Sequence, residues 1–149
     1  MTDFRKDVAK IKNPEKIREA LFASGPSILM RAFEKDPTVA RLLQGGSRVV
    51  PLISEEIKKH GLKLDTITLS CFAYILQKVD VTSAAAILRP LFLEAMKKPD
   101  PFFACFAAHA LRQDLKLPIK PYDPEYSFAE LQETLAWVER TPNREDEDA

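Results

Sequence analysis

Cysteine is nearly absent from this chain, with only Cys71 and Cys105 in 149 residues. Neither a disulfide framework nor a short-spaced thiol pair for metal or redox chemistry is available, and both thiols are expected to be small buried hydrophobes. Histidine is as scarce: His60 and His109 form no His-x-x-x-His pair, and a Gly-rich phosphate loop is missing too. An enzyme has little support on these grounds, and no catalytic residue, metal or cofactor is predicted. Charge of one sign is also lacking, since 22 Lys/Arg balance 22 Asp/Glu, which argues against a phosphate-driven nucleic-acid binder. Long apolar runs do not occur either. The two most apolar stretches, Ile67 to Leu76 and Phe102 to Leu111, are ten residues each, too short to span a bilayer and better read as buried helices. No membrane contact is expected. The start, Met1-Thr2-Asp3-Phe4-Arg5, has no apolar signal segment, and together with the cysteine count this points to a reduced, cytoplasmic protein. Sustained period-two alternation is missing, so little or no sheet is expected.

What is present is an ordinary globular balance, 46% hydrophobic and 30% charged, in a chain long enough for one domain with its own core. Residues 1–80 carry 14 Lys/Arg against 10 Asp/Glu, and residues 81–149 carry 8 against 12, a mild polarity. Much of the acidic excess is the run Glu145, Asp146, Glu147, Asp148. Residues 143–149 are therefore predicted to be a disordered, solvated tail to a single domain spanning 1–142.

Caps and prolines punctuate the chain between apolar-periodic segments. Asn13-Pro14 opens a helix with Ile17, Ala20, Leu21 and Ser24 on one face, broken at Ser24-Gly25-Pro26. A short helix follows with Ile28, Leu29, Ala32 and Phe33 inward. Asp36-Pro37 stops it and caps the next, which carries Val39, Leu42 and Leu43 to Gly45-Gly46. Ser47 is expected to cap a helix with Val49, Leu52, Ile53 and Ile57 inward, ending at Gly61. Asp65 opens a helix to about Val79, and Thr82 or Ser83 opens another to about Lys98. Asp100-Pro101 starts a helix to roughly Leu115, after which Pro118, Pro121 and Pro124 force an extended crossing. Ser127 and Glu130 form a capping-box pattern for a last helix with Phe128, Leu131, Leu135 and Val138 as its apolar stripe. Met30 and Trp137 are read as packing residues.

Two internal matches stand out when the chain is laid on itself. Pro51-Leu52-Ile53-Ser54-Glu55-Glu56-Ile57-Lys58-Lys59 parallels Pro90-Leu91-Phe92-Leu93-Glu94-Ala95-Met96-Lys97-Lys98 at an offset of 39, and Cys71-Phe72-Ala73 parallels Cys105-Phe106-Ala107 at 34. A proline inside a helix costs about 3 kcal/mol unless packing offsets it, so its recurrence suggests a repeated bend. Lys35, Lys58, Lys59, Lys97 and Lys98 cluster at the ends of the first helices. There they complement the helix dipole and form a basic edge.

This alternation resembles the HEAT repeat. The segment Lys98-Pro99-Asp100-Pro101-Phe102-Phe103-Ala104-Cys105-Phe106-Ala107-Ala108-His109-Ala110-Leu111 is the closest match and Asp36-Pro37-Thr38-Val39-Ala40-Arg41 a shorter one. Ala104 stands where the family usually has a basic residue after the turn, so the repeats are degenerate. The resemblance implies an all-α protein, a short right-handed α-α superhelix or HEAT-like solenoid of antiparallel helical hairpins over roughly residues 26–117. Residues 3–24 and 127–140 would be its caps.

In such a solenoid the second helices line the concave side. With Phe103, Phe106, Ala107, Ala110 and Leu111 inward, the opposite face carries Phe102, Cys105, His109 and Arg112; the preceding second helix carries Thr68, Cys71, Ile75 and Lys78. These eight residues form the candidate partner-binding strip, apolar with basic ends, for a scaffold or adaptor that takes a protein or peptide. Alternatively, the proline-rich loop from Leu117 to Tyr126 folds over the strip and makes it core. A second functional reading is a DNA-interacting protein resembling the HEAT-like alkylpurine DNA glycosylases, resting on Lys78 and Arg112. Zero net charge counts against that reading. His60, just before Gly61, is placed to meet terminal helix carbonyls. Nothing in the sequence sets the oligomeric state.

Overall fold

The computed structural model describes residues 4–12, 25–97, 101–120 and 125–141, and every regular element among them is helical. The order is α1 (Phe4–Ile11), α2 (Pro26–Lys35), α3 (Pro37–Gly45), α4 (Val50–His60), α5 (Thr66–Val79), α6 (Val81–Ala95), α7 (Pro101–Asp114) and α8 (Phe128–Arg140), with 3-10 turns at Gly46–Val49 and Gly61–Lys63. The helix expected from Asn13-Pro14 and the acidic tail both lie outside the described residues.

Aspartates set three of the corners. Asp36 ends α2 by giving its N–H to the Phe33 carbonyl at 3.2 Å. It also starts α3, its carboxylate accepting from the N–H groups of Thr38 and Val39 at 2.9 and 3.0 Å. Asp65 caps α5 through the Ile67 N–H at 2.8 Å. Asp80 repeats the double role of Asp36: its N–H bonds the Leu76 carbonyl at 2.9 Å, and its carboxylate accepts from Ser83 N–H and Oγ–H at 3.2 and 2.8 Å. The start of α6 therefore belongs to Asp80 rather than to Thr82 or Ser83, because Ser83 is the donor in the cap. Those donors hold the Asp80 carboxyl below its ordinary range. Ser127 and Glu130 exchange bonds as their spacing predicts, at 3.1 and 2.9 Å.

Two expected starts and stops move. Ser47 lies in a 3-10 turn that leads directly into α4, so Pro51 falls in the first turn, where it removes no helical bond. Pro90 by contrast lies inside α6, and the two prolines are not equivalent breaks in their helices. Helix α7 ends in a Schellman motif built on Lys116, at φ 61°. Lys116 N–H bonds the Gln113 carbonyl at 3.2 Å and Leu117 N–H bonds the Arg112 carbonyl at 2.8 Å. The helix is closed before Pro118 is reached.

The core is organised around α5 and α7. Every residue of α5 from Thr68 to Leu76 is buried, and in α7 burial runs from Phe103 to Arg112 with His109 alone half-exposed. Phe33 on α2 fills the junction, its ring centroid 5.9 Å from that of Tyr74 on α5 and 5.6 Å from that of Phe106 on α7. Helix α2 thus touches α7 directly, joining the two ends of the expected 26–117 stack, a contact that neighbour-only packing does not make. The side chains of Gln77 and Gln113 pair between α5 and α7. At the N-terminal end, buried Asp7 accepts from Arg41 Nε and Nη2 at 3.2 and 3.1 Å, fastening α1 to α3. Phe4 packs on Gly45 so closely that a Cβ there would lie 2.9 Å from Phe4 Cζ.

Two residues expected on inner faces are at the surface, Ile28 at 45% exposed and Phe128 at 74%, and Trp137, read as a packing residue, is 43% exposed. Helix α8 buries Leu131, Thr134 and Val138 instead. Its contact line therefore runs to one side of Phe128, which projects from the first position of the helix.

Phe33→Ala should lower the free energy of unfolding in urea by about 3–5 kcal/mol, because it leaves a cavity where three helices meet. Phe128→Ser should change it by less than about 0.5 kcal/mol. Lys116→Gly should raise it by about 0.5–1 kcal/mol by relieving the left-handed conformation.

Candidate functional site

Most of the expected strip on α5 and α7 is not a surface, and the structure shows only Lys78 and His109 of it together, beside one small recess. Thr68, Cys71, Ile75, Cys105 and Arg112 are each 4% exposed or less. Thr68 donates its hydroxyl to the Ile11 carbonyl at 3.1 Å, so α1 covers that end. The Cys71 thiol is pushed well above its ordinary value by burial and by the charge of Asp36. Phe102 is half-buried against the core. Only Lys78 is exposed, its ammonium 5.8 Å from the Tyr74 ring centroid. The Tyr74 phenol is pushed up to about 12, chiefly by burial.

Residues 117–120 and 125–127, with α8, cover the α7 end. Cys105 Sγ donates to the Tyr126 carbonyl at 3.6 Å. The Tyr126 hydroxyl accepts from Lys120 N–H at 3.2 Å and lies 2.7 Å from His109 Nδ1. The His109 tautomer sets which of the two donates in that contact. Burial and the nearby Lys78 charge hold His109 below its ordinary value. Arg112 is the clamp of this corner: Nε donates to the Pro118 carbonyl at 2.7 Å, and Nη1 to Glu133 Oε1 at 2.8 Å and Thr134 Oγ1 at 3.1 Å. Its guanidinium also stands 5.5 Å from the Tyr126 ring centroid. Arg112 is therefore committed to the fold and is not presented to a phosphate. What remains of the strip at the surface is a recess of about 10 Å³ beside Met30, Lys78 and His109, room for about one water.

The concavity that the sequence did not reveal lies between α4 and α6, with a volume of about 530 Å³. Helix α4 contributes Val50, Pro51, Ser54, Ile57 and Lys58 to it. Helix α6 supplies the other wall with Ser83, Ala86, Ile87, Pro90 and Leu91. Gly61 takes φ 51° to close α4, and a Cβ there would lie 3.8 Å from Leu91 Cδ2. The C-terminal end of α4 thus meets the later half of α6, and the two helices run side by side in the same direction. Lys58 is the one charged residue on the walls. A second recess opens beyond it, past Glu55 and Lys59. These two pair at 3.0 Å on the exposed surface, and the contact lowers the carboxyl and raises the ammonium. Both matched prolines line it, Pro51 near the start of the α4 wall and Pro90 near the end of the α6 wall.

Among the described residues, no group of three or more His, Cys, Asp or Glu side chains could hold a metal ion, and no helix is long and apolar enough to cross a membrane. His60 Nε2 lies 3.6 Å from Glu56 Oε2, which also meets Lys12 at 2.9 Å. No protein-family model matches the chain, nor does any curated protein or solved structure.

Arg112→Ala should cost about 2 kcal/mol or more of unfolding free energy, because it strips partners from buried carbonyls. Glu133→Gln should cost less than about 1 kcal/mol, its carboxylate being largely solvated. His109 gives a pH signature of definite sign. Its folded-state pKa is lowered, so its contribution is complete above about pH 6.5 and is lost as the pH falls below that value. Urea midpoints at about pH 7.5 and about pH 5.5 should differ less in His109→Gln than in the wild-type chain.

Proposed function

We propose that this chain is a small helical binding module, a short HEAT-like stack of antiparallel hairpins, that receives a protein or peptide segment in the groove between α4 and α6. One observation carries the reading. The groove is open and lined mainly by apolar or small side chains, whereas the helices behind it are filled on every side. An apolar concavity between two helices of an otherwise close-packed domain is the usual setting for a helix or peptide contact. The placing of α4 and α6 on either side of one groove supports the stacked-hairpin description, while the direct contact of α2 with α7 departs from it. The reading moves the working surface from the second helices to the first. Duplex binding has less support, since Arg112, one of the two cations on which it rested, is buried and bonded within the fold.

Ala86→Trp fills the groove without touching the core and should leave the helical circular dichroism and the urea midpoint nearly unchanged. Proteins retained by the immobilised wild-type chain, and equally by a Gln132→Ala control on α8, should be lost from Ala86→Trp. Retention of the same proteins by the folded Ala86→Trp chain would remove the reading.

A further inference from the structure

We infer that the occupant of the α4–α6 groove is an amphipathic helix that lies antiparallel to both walls and sets a first-turn carboxylate against Lys58; the inference rests on the groove being the binding site.

The groove is bounded by equal lengths of two parallel helices, from Val50 to Lys58 on α4 and from Ser83 to Leu91 on α6. At 1.5 Å per residue that length is roughly 12 Å, a little over two helical turns. An extended strand would need edge donors and acceptors along its whole length, which helical walls do not supply because their backbone groups are already bonded internally. A ridge of apolar side chains at helical spacing needs none of these, and it meets Val50, Ile57 and Leu91 as its apolar contacts.

Charge decides the direction. Lys58 is on the wall, and no carboxylate lines the groove to neutralise it; among the described residues Lys58 forms no ion pair, whereas its neighbour Lys59 is held by Glu55. It sits in the last turn of α4, where the helix presents the negative end of its dipole. An antiparallel occupant brings its own N-terminus to that end, so the two dipoles are opposed favourably. The first turn of a helix is also where Asp and Glu are most stabilising. One geometry therefore satisfies the Lys58 charge, the dipoles and the ordinary preference of the occupant's own sequence. A parallel occupant would bring its C-terminus, rich in carbonyls and cations, against Lys58.

Pro90 adds a mark near the Leu91 end of the groove. It has no N–H to give to the Ala86 carbonyl four residues earlier, and both residues are on the α6 wall. That wall is thus locally less regular than the α4 wall, whose Pro51 falls in the first turn.

The test uses fluorescein-labelled synthetic helical peptides of about 14 residues with Leu at i, i+3, i+4 and i+7 spacing, read by anisotropy against the full chain. One carries Glu in its first turn, one carries Lys there, and one carries Glu in its last turn. The first should bind at least about tenfold tighter than the other two at low salt, with the gap narrowing as salt rises. Lys58→Glu should reverse the preference between first-turn Glu and first-turn Lys. Equal binding of all three peptides, abolished by Ala86→Trp, would overturn the inference and leave the binding reading intact. Tighter binding of the last-turn peptide would overturn the orientation. The occupant could instead be the chain's own acidic end. In that case peptides would bind only after Glu145→Gln, Asp146→Asn, Glu147→Gln and Asp148→Asn are introduced together, and the inference would fail. No binding to either form would sink both the inference and the reading beneath it.

Discussion

A helix with apolar or small residues on every side persists in water only where something covers each side, and α5 and α7 both meet that condition. Their burial dictates the rest of the arrangement. Helix α6 and residues 117–120 must lie against α7, α1 must reach Thr68, and α2 must send Phe33 into the space between Tyr74 and Phe106. The dispersion and transfer terms from these contacts are the main stabilising contribution, as in any close-packed domain. Polar groups caught in the same layer are satisfied individually: Thr68 by a carbonyl of α1, Arg112 by three acceptors from the covering loop and α8.

The parts of this fold that were legible in the sequence are those decided within a few residues. Asp36-Pro37 had to be a corner, and Ser127 with Glu130 had to open a helix, because the donors and acceptors concerned are three residues apart. Which side of a helix faces inward was legible only where one side exists. For α2 the set Leu29, Ala32 and Phe33 held, while Ile28 turned out to lie just beyond the contact. For α7 a two-faced division put Phe102, Cys105, His109 and Arg112 outside, although Ala104 and Ala108 among them were already a sign of close approach on that side. The left-handed Lys116 gave no signal, since glycine normally marks that conformation.

Sites were less legible than elements, for a physical reason. A binding surface depends on which element lies beside which, and no local rule reports that. The α7 end of the expected strip is covered by residues 117–120 and 125–127 with α8, and its Thr68 end by the N-terminal helix. Of the two segments that match in the sequence, the first lines the α4 wall of the groove, but only Pro90 and Leu91 of the second reach it.

Asp36 and Asp80 each end one helix and begin the next with no residue between. A joint of one residue has only two backbone dihedrals, and both are fixed by the cap bonds on either side. Helices α5 and α6 therefore meet at a preset angle, and α4 is tied to α5 by a short 3-10 turn. The distance between the α4 and α6 walls is in this way written into the backbone of the corners rather than into the walls. Any segment that entered between them would meet a slot whose width is already determined, and its girth would be tested before any side chain was compared.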